Sequence, residues 1–234
     1  MSAAAILMPF EGWTSDRVVV TGPDAISFLQ GQVSQDITKL VVGASAWSFI
    51  LEPNGKVGAL MVVTHVADDS VACDIDAGYA DILAARINRF KIRIKADVSV
   101  ESRGEKWSPE AEANRIVAGW PAMGVELSDS VIPGETGLID MAVSFSKGCY
   151  TGQELVARVD SRGGNVPRHL RKLTANTAST EFVAGAKLVS GSKIVGVISS
   201  ADGTVGMAYV HRSAEVPGDV LCGAVTVRVE AFDR

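Results

Sequence analysis

The sequence predicts an α+β protein, and two observations lead to that prediction. The first part of the chain alternates short apolar runs with helical patterns, which favours an antiparallel sheet with helices on one face. The last third consists of short apolar runs broken by glycine, a pattern typical of a small β-barrel or sandwich. With 234 residues, 47% of them hydrophobic and 21% charged, the chain is long enough to bury a substantial core.

The elements of the first hundred residues follow from their apolar patterns. A helix begins near Pro23, with Ile26, Leu29 and Val33 on one face, and a second helix covers 77–89. Between two of the strands, Asn54 and Gly55 form a strong hairpin-turn signal. The strands predicted for this part are residues 17–20, 44–50, 57–65, 71–75 and 92–100.

The second half contains a helix, a strand–turn–helix unit and a series of short strands. Residues 109–118 form the helix, which Gly119 ends. The apolar run 141–145 is expected to be a strand leading into a turn and a further helix. After a linker at 161–167, the predicted strands are residues 187–190, 194–199, 205–210 and 225–229.

Composition argues against several broad classes of protein. The net charge of -5 does not suit a protein that coats nucleic acid. The three cysteines form no Cys-x-x-Cys pair, so the sequence shows neither a disulfide framework nor a metal site, and a reducing cytoplasm suits them. Residues 1–9 lack the basic segment of a signal peptide, and no apolar run approaches the roughly 18 residues of a membrane span. We therefore expect a cytoplasmic protein that contacts neither a membrane nor, directly, a nucleic acid.

The most informative stretch is residues 147–158, KGCYTGQELVAR. Thr151 and Glu154 fit a capping box, with the hydroxyl at the N-cap and the carboxylate at N3. Cys149 would then lie just before a helix N-terminus and near Lys147, and both features favour a reactive thiolate with a lowered pKa. In the plainer interpretation Glu154 is only a cap, Cys149 a small buried side chain and Lys147 a solvated charge.

Residues 147–154 resemble the signature of the YgfZ family, folate-binding proteins related to the glycine cleavage T-protein and involved in iron–sulfur protein maturation. The resemblance covers most of the chain from residue 17 to 171. It implies two antiparallel-sheet α+β subdomains and a small C-terminal β-barrel around a central folate cavity. The segments that match the family in the same order are residues 28–33, 53–56, 86–90 and 132–138.

The resemblance also implies a division into three parts. The first α+β part would be discontinuous, formed by residues 1–40 and 103–170, and would carry the 147–154 motif. The second would be inserted as residues 41–102, and the barrel would cover 171–234.

The cofactor implied by the resemblance is tetrahydrofolate or a derivative. The aminopyrimidinone edge of a pterin presents two N–H donors that one carboxylate can accept, so Glu126 is the preferred anchor and Glu154 the second choice. Cys149 and Lys147 are the predicted catalytic residues, and no metal ligand is predicted. The other predicted folate-binding residues are Tyr150, Gln153, Arg158 and Arg168.

Two of these assignments have plain alternatives. Glu126 could be a solvated loop acid. The basic run that includes Arg158, Arg162, Arg168, Arg171 and Lys172 could grip the glutamate carboxylates of folate, since arginine binds carboxylates in a bidentate manner, or it could be a solvated crossing between domains.

The function implied by the resemblance is that of a tetrahydrofolate-binding accessory factor in iron–sulfur cluster assembly or repair. Cys149 would be its functional thiol, iron–sulfur client proteins or cluster carriers its partners, and tRNA modification an associated process. The alternative is a folate-dependent aminomethyl- or methyltransferase of the T-protein type. T-proteins carry Gly-Gly-x-x-Asp-Asp after the second hairpin turn, whereas residues 54–60 contain no acid, and this departure favours the accessory factor.

Overall fold

The computed structural model describes residues 8–232. Residues 1–7 and 233–234 lie outside this range. The expectation that residues 1–9 are not a signal peptide therefore falls mostly outside the described residues. The strands in this range are β1 Ser15–Thr21, β2 Ser45–Leu51, β3 Val57–Ala67, β4 Ser70–Asp76, β5 Asp97–Glu101, β6 Arg168–Ala175, β7 Lys187–Ser190, β8 Lys193–Asp202, β9 Val205–His211, β10 Gly218–Cys222 and β11 Val225–Glu230. The α-helices are α1 Ala25–Gln30, α2 Ala80–Arg89, α3 Pro109–Ala118, α4 Ile139–Ala142 and α5 Gln153–Asp160. Two 3₁₀ turns lie at Ile37–Lys39 and Pro133–Glu135.

The first five strands form one antiparallel sheet in the order β2-β3-β4-β1-β5. Val18 and Val20 of β1 are buried, and every residue of β4 is buried. Helix α2 contributes Leu83 and Ile87 to the same core. Apolar burial on the sheet, with helices packed against it, accounts for this half of the α+β fold.

The last six strands close into a barrel in the order β10-β11-β6-β9-β8-β7. Its interior is filled by branched apolar side chains, among them Leu173, Leu188, Ile198, Val227 and Val229. The strand pattern of the sequence was compatible with either a barrel or a sandwich, and the closed strand order confirms the barrel. A single residue pair, Leu221 with Val189, joins β10 to β7.

Several sequence-based assignments need correction: the strand predicted for 92–100 covers only Asp97–Glu101, and β10 was not predicted. The apolar run 141–145 is not a strand, because α4 extends to Ala142 and the amide of Val143 still bonds back to the carbonyl of Ile139. Only Ala142 and Val143 of this run are buried, while Phe145 is 51% exposed. Strand β6 was missed because its basic residues resemble a solvated crossing, yet Leu173 and Ala175 face the barrel interior and Leu170 packs on the other face with Ile116 of α3.

The α+β class is confirmed, but the sheet crosses one predicted boundary. Strand β1, assigned to the part that contains residues 1–40, pairs with β4 and β5 of the part at 41–102. The strands of both parts therefore belong to one sheet, and the division at residue 40 stays a prediction. The longest helices, α2 and α3, have 10 residues each, and none in the described range has the length and apolarity of a membrane span.

Candidate functional site

Helix α5 begins one residue later than the capping-box motif predicts. Its N-cap is Gly152, in the left-handed region at φ 81°, and no side chain caps the helix. The Thr151 hydroxyl is directed instead to Gln32 Oε1 at 3.4 Å, and the Gln153 side chain accepts from the amide of Tyr150 at 3.0 Å. The predicted capping box is wrong, because the glycine takes the N-cap position and Glu154 forms an exposed ion pair with Arg158.

Lys147 fixes the loop that follows α1. Its Nζ donates to the backbone carbonyls of Gln30 at 2.7 Å, Val33 at 2.6 Å and Gln35 at 2.9 Å. An ammonium group has three donors, and here each donor has an acceptor. Burial lowers the pKa of Lys147 to about 8, although the charge of Asp36 opposes this shift. The geometry supports a positioning role for Lys147, and its predicted catalytic role stays a prediction.

Asp36 organises the same loop from the other side. Its carboxylate accepts from the Thr38 hydroxyl at 2.7 Å and from Gln30 Nε2 at 2.9 Å, and it pairs with Lys39 at 3.0 Å. The hydrogen bond from Thr38 and the contact with Lys39 lower the pKa of Asp36 to about 2. Asp36 therefore holds together the loop that Lys147 also binds.

We expect Asp36→Asn to remove a pH-dependent part of the stability. The folded-state pKa of about 2 lies below the ordinary value of 3.8, so the ionised group stabilises the fold above pH 3.8, and this contribution is lost as pH falls through 2. The difference in urea midpoint between wild type and Asp36→Asn should shrink from pH 5 to pH 2.5. Asp129→Asn, at an exposed position, is the control. A difference that does not change with pH would contradict the assignment.

Two glycines let the hairpin turn between β2 and β3 touch the start of α5. Both Gly55 and Gly152 have φ 81°. A Cβ atom on Gly152 would lie 2.5 Å from the carbonyl oxygen of Glu52, and one on Gly55 would collide with Cβ of Leu155. The close approach of the two backbones thus requires glycine at both positions.

Arg86 connects three of the family-like segments. Its guanidinium donates to Gln32 Oε1 at 3.2 Å and to the carbonyl of Leu51, and it stacks over the Phe90 ring at 4.1 Å. Since Gln32 also accepts from Thr151, the segments 28–33 and 86–90 meet at the 147–154 motif. Segments that are distant in sequence therefore converge on the turn before α5.

A carboxylate does lie beside the acid-free segment 54–60. Glu52, at the end of β2, pairs with Arg86 at 3.4 Å and with Arg89 at 2.5 Å. A Cβ atom on Gly58 would lie 3.2 Å from Glu52 Oε1. This acid was not among the predicted site residues because it precedes the turn, and two arginines compensate its charge.

The three cysteines differ in exposure. Cys149 is exposed, whereas Cys73 and Cys222 are buried. Burial raises the pKa of Cys73 to about 12 and also raises that of Cys222. Cys73 and Cys222 are thus buried, as expected for cysteines in apolar strands, and their purely structural role stays a prediction. The thiolate character of Cys149 stays a prediction.

Glu126 is not a solvated loop acid. The residue is fully buried, and its carboxylate accepts from Arg115 Nη1 at 2.9 Å, from the amide of Ala122 at 3.1 Å and from the Ser200 hydroxyl at 2.6 Å. Arg115 is also fully buried and donates to Ser200 at 2.7 Å. The cluster Arg115–Glu126–Ser200 ties α3 to the barrel, and the pterin-anchor role of Glu126 stays a prediction.

The remaining predicted folate-binding residues are distributed over several environments. Tyr150 is buried under Lys147, and burial raises its pKa to about 12. Glu154 is exposed and pairs with Arg158. Arg168 pairs with Glu135 at 3.1 Å and lies over the ring of Tyr209. Their folate-binding roles stay predictions.

A cleft of about 440 Å³ lies beside α5, where that helix faces the segment 132–145 and the first barrel strand. Val156 and Val159 of α5, Ile139 of α4 and His169 of β6 line it. None of the predicted site residues lines this cleft. The apolar face of α5 was the sequence signal that could have indicated this cleft. Within residues 8–232, no group of three or more His, Cys, Asp or Glu side chains is arranged to hold a metal ion.

Comparison with solved structures identifies the fold class. The crystal structure of glycine cleavage system aminomethyltransferase T from Bartonella henselae matches with a TM-score of 0.82 and 17% identity, covering 93% of this chain and 83% of that one. At this identity the match establishes the fold alone, and it confirms the predicted T-protein-like architecture.

Sequence comparison gives the family, although no family model matches the chain. A tRNA-modifying protein YgfZ from Shigella boydii is 40% identical over 250 residues, covering 78% of this chain and 75% of the relative. Another tRNA-modifying protein YgfZ, from Serratia proteamaculans, is 26% identical and covers 68% of each chain. The chain belongs to the YgfZ family, which confirms the resemblance read from its motifs.

Proposed function

We propose that this protein is a cytoplasmic, tetrahydrofolate-binding accessory factor in iron–sulfur cluster assembly or repair, with Cys149 as its functional thiol. The observation that supports this most is the position of Cys149, the exposed cysteine in the family motif. Its loop is fixed on both sides, by Lys147 through three carbonyls and by the Thr151 amide, which bonds to the carbonyl of Gly31 at 3.0 Å. An accessible thiol on a rigid loop is suited to engage a cluster or a client thiol.

The folate ligand and the client proteins are proposed from the family resemblance. Tetrahydrofolate would supply a carrier for one-carbon groups, and the 440 Å³ cleft has the size of a typical small-molecule site. The partners would be iron–sulfur client proteins or cluster carriers. The name of the relatives, tRNA-modifying protein, is compatible with a client that modifies tRNA, while the net charge of -5 does not favour direct contact with nucleic acid.

The second candidate is an aminomethyl- or methyltransferase, which the fold match favours. Glu52 is the acid nearest to the turn at 54–60 where T-proteins carry their acids, but Arg86 and Arg89 already engage it. We therefore expect no turnover of methylamine-type substrates by the purified protein with tetrahydrofolate. Measurable turnover would favour the transferase.

We expect Cys149→Ala to abolish rescue of an iron–sulfur enzyme defect in a strain that lacks its own YgfZ. Because Cys149 is exposed, the variant should keep its unfolding free energy within about 0.5 kcal/mol of wild type. Alkylation of the native wild type at neutral pH should modify Cys149 first, with Cys73 and Cys222 protected until unfolding.

Cys73→Ala is the matched control for this experiment. It should lower stability, because it leaves a small cavity beside buried strands, and still rescue the strain. Full rescue by Cys149→Ala would remove the thiol from the proposal and leave folate binding as its basis.

A further inference from the structure

We propose that the exposed side of residues 141–149 is a docking surface for a partner protein, and that Gly148 keeps the backbone beside Cys149 bare so that the partner can approach closely. This inference rests on the proposed function and deepens it, since it assigns the client or carrier protein to a surface and to residues other than the thiol. We call Met141, Phe145, Gly148 and Cys149 together the docking edge, and all four are exposed.

Gly148 has no reason within the fold to be glycine. Its φ lies outside the left-handed region, and a Cβ atom on it would meet no heavy atom within 4 Å beyond its chain neighbours. Every other glycine in residues 8–232 either has a positive φ or would bring its Cβ within 4 Å of a neighbouring atom. Glycine also lets a ligand or another chain approach a backbone closely. At Gly148, close approach from outside the chain is the reason that remains.

The segment that carries the docking edge is fastened along its inner side. Hydrogen bonds join residues 141–151 to residues 31–35, and the pairs are Met141 with Gln35, Ser144 with Ser34, Lys147 with Val33 and Thr151 with Gly31. The docking edge faces outward from this contact. A partner would therefore meet a surface that is already in place, which lowers the entropic cost of association.

The docking edge is apolar and displays no charge. Phe145 is 51% exposed and Met141 is 42% exposed. The charged residue of the segment 141–149 is Lys147, and its ammonium group is turned to the backbone carbonyls. Such a neutral surface does not suit a polyanion such as RNA, whereas exposed Phe and Met are typical of protein interfaces.

The position of the thiol also favours a protein over a small molecule. Small-molecule sites are concave, and neither Gly148 nor Cys149 lines the cleft beside α5. The bare backbone next to the thiol thus suits a neutral, apolar segment of a partner protein that reaches Cys149 from outside.

A graded series at Gly148 tests the assignment by rescue of the strain that lacks its own YgfZ. The melting temperatures of Gly148→Ala and Gly148→Leu should not fall below that of wild type, because the added side chains meet open space. Rescue should decrease with side-chain size, by about 10-fold or more for Gly148→Leu, because the added group holds the partner away from a closely packed contact. Alkylation of Cys149 by iodoacetamide, a small probe, should stay near the wild-type rate.

Two further variants remove apolar surface without adding bulk. Met141→Ser and Phe145→Ser should each lower rescue and leave the melting temperature and the alkylation rate near their wild-type values. Ala85→Leu adds the same side chain as Gly148→Leu at an exposed position of α2, and it should rescue fully. Ile92→Ser, at a side chain that is 75% exposed, is the matched control for the two serine variants.

The other outcomes overturn separate statements. Full rescue by Gly148→Leu, together with failure of Cys149→Ala, would overturn the docking surface alone, whereas full rescue by Cys149→Ala would overturn the thiol of the proposed function. Slower alkylation in parallel with lost rescue would show that the added side chain shields the thiol, which also overturns the docking surface.

Two results would replace the occupant. A loss of rescue confined to Phe145→Ser would place its cause in the cleft, which Phe145 lines and Met141 and Gly148 do not. Dimers of wild type in sedimentation experiments, dissociated by Gly148→Leu, would overturn the partner protein and make the occupant a second copy of this chain.

Discussion

Arg115→Met should lower the free energy of unfolding by about 3–5 kcal/mol, because it leaves the carboxylate of Glu126 buried without its cationic partner. Both side chains are fully buried, so water cannot replace the lost guanidinium. The same guanidinium also donates to Ser200 on β8 and to the carbonyl of Trp120, and these contacts are lost with it. Urea unfolding of wild type and variant, followed by circular dichroism, measures the change.

A double variant separates the cost of the unpaired charge from the value of the pair. Arg115→Met combined with Glu126→Gln should recover part of the lost stability, because the neutral amide is less costly to bury than an unpaired carboxylate. Ser200→Ala alone should cost about 1–2 kcal/mol, since it removes a hydrogen bond to a charged group. A loss below about 1 kcal/mol for Arg115→Met would show that the cluster does not hold α3 on the barrel.

Lys147→Met should lower the free energy of unfolding by about 1.5–4.5 kcal/mol, the sum for three hydrogen bonds of about 0.5–1.5 kcal/mol each. The carbonyls of Gln30, Val33 and Gln35 lose a common donor, so the loop after α1 should open locally. Amide hydrogen exchange in residues 30–39 should accelerate more than exchange in the barrel. Alkylation of Cys149 should also change in rate, because the same loop supports its turn.

Lys187→Met provides the matched control, since Lys187 is an exposed lysine at the start of β7. Its removal should leave both stability and exchange near their wild-type values. If Lys147→Met proves equally harmless, Lys147 does not position the motif.

The sheet could be predicted from the sequence because most of its strands contain short apolar runs bounded by turn residues. Strand β6 could not, since its residues Leu173 and Ala175 face the barrel interior but follow a basic stretch that also suits a solvated segment. The run 141–145 is the reverse case: its residues are apolar, yet they pair with no strand within residues 8–232 and were wrongly predicted to form one. In this run apolarity predicted neither the element nor complete burial, since Met141 and Phe145 are exposed.

The candidate site was predictable as a motif but not as a set of contacts. Lys147 binds backbone carbonyls 112 to 117 residues upstream, and a carbonyl acceptor has no signature in the sequence. Glu126 was recognised as special, yet its partner Ser200 lies 74 residues further along the chain.

The position of β1 in the sheet has a consequence for how the chain folds. Strand β1 lies between β4 and β5, whose residues come 49 to 84 positions later in the chain, so its two edges stay unpaired until those strands are available. The barrel, by contrast, uses only strands from Arg168 onward. Pairing over long sequence separations is slow, because the entropy of closing the intervening loop is lost before the contacts form. During synthesis, we therefore expect one edge of β1 to remain unpaired until residues 97–101 have emerged, and an unpaired strand edge makes a nascent chain more open to aggregation.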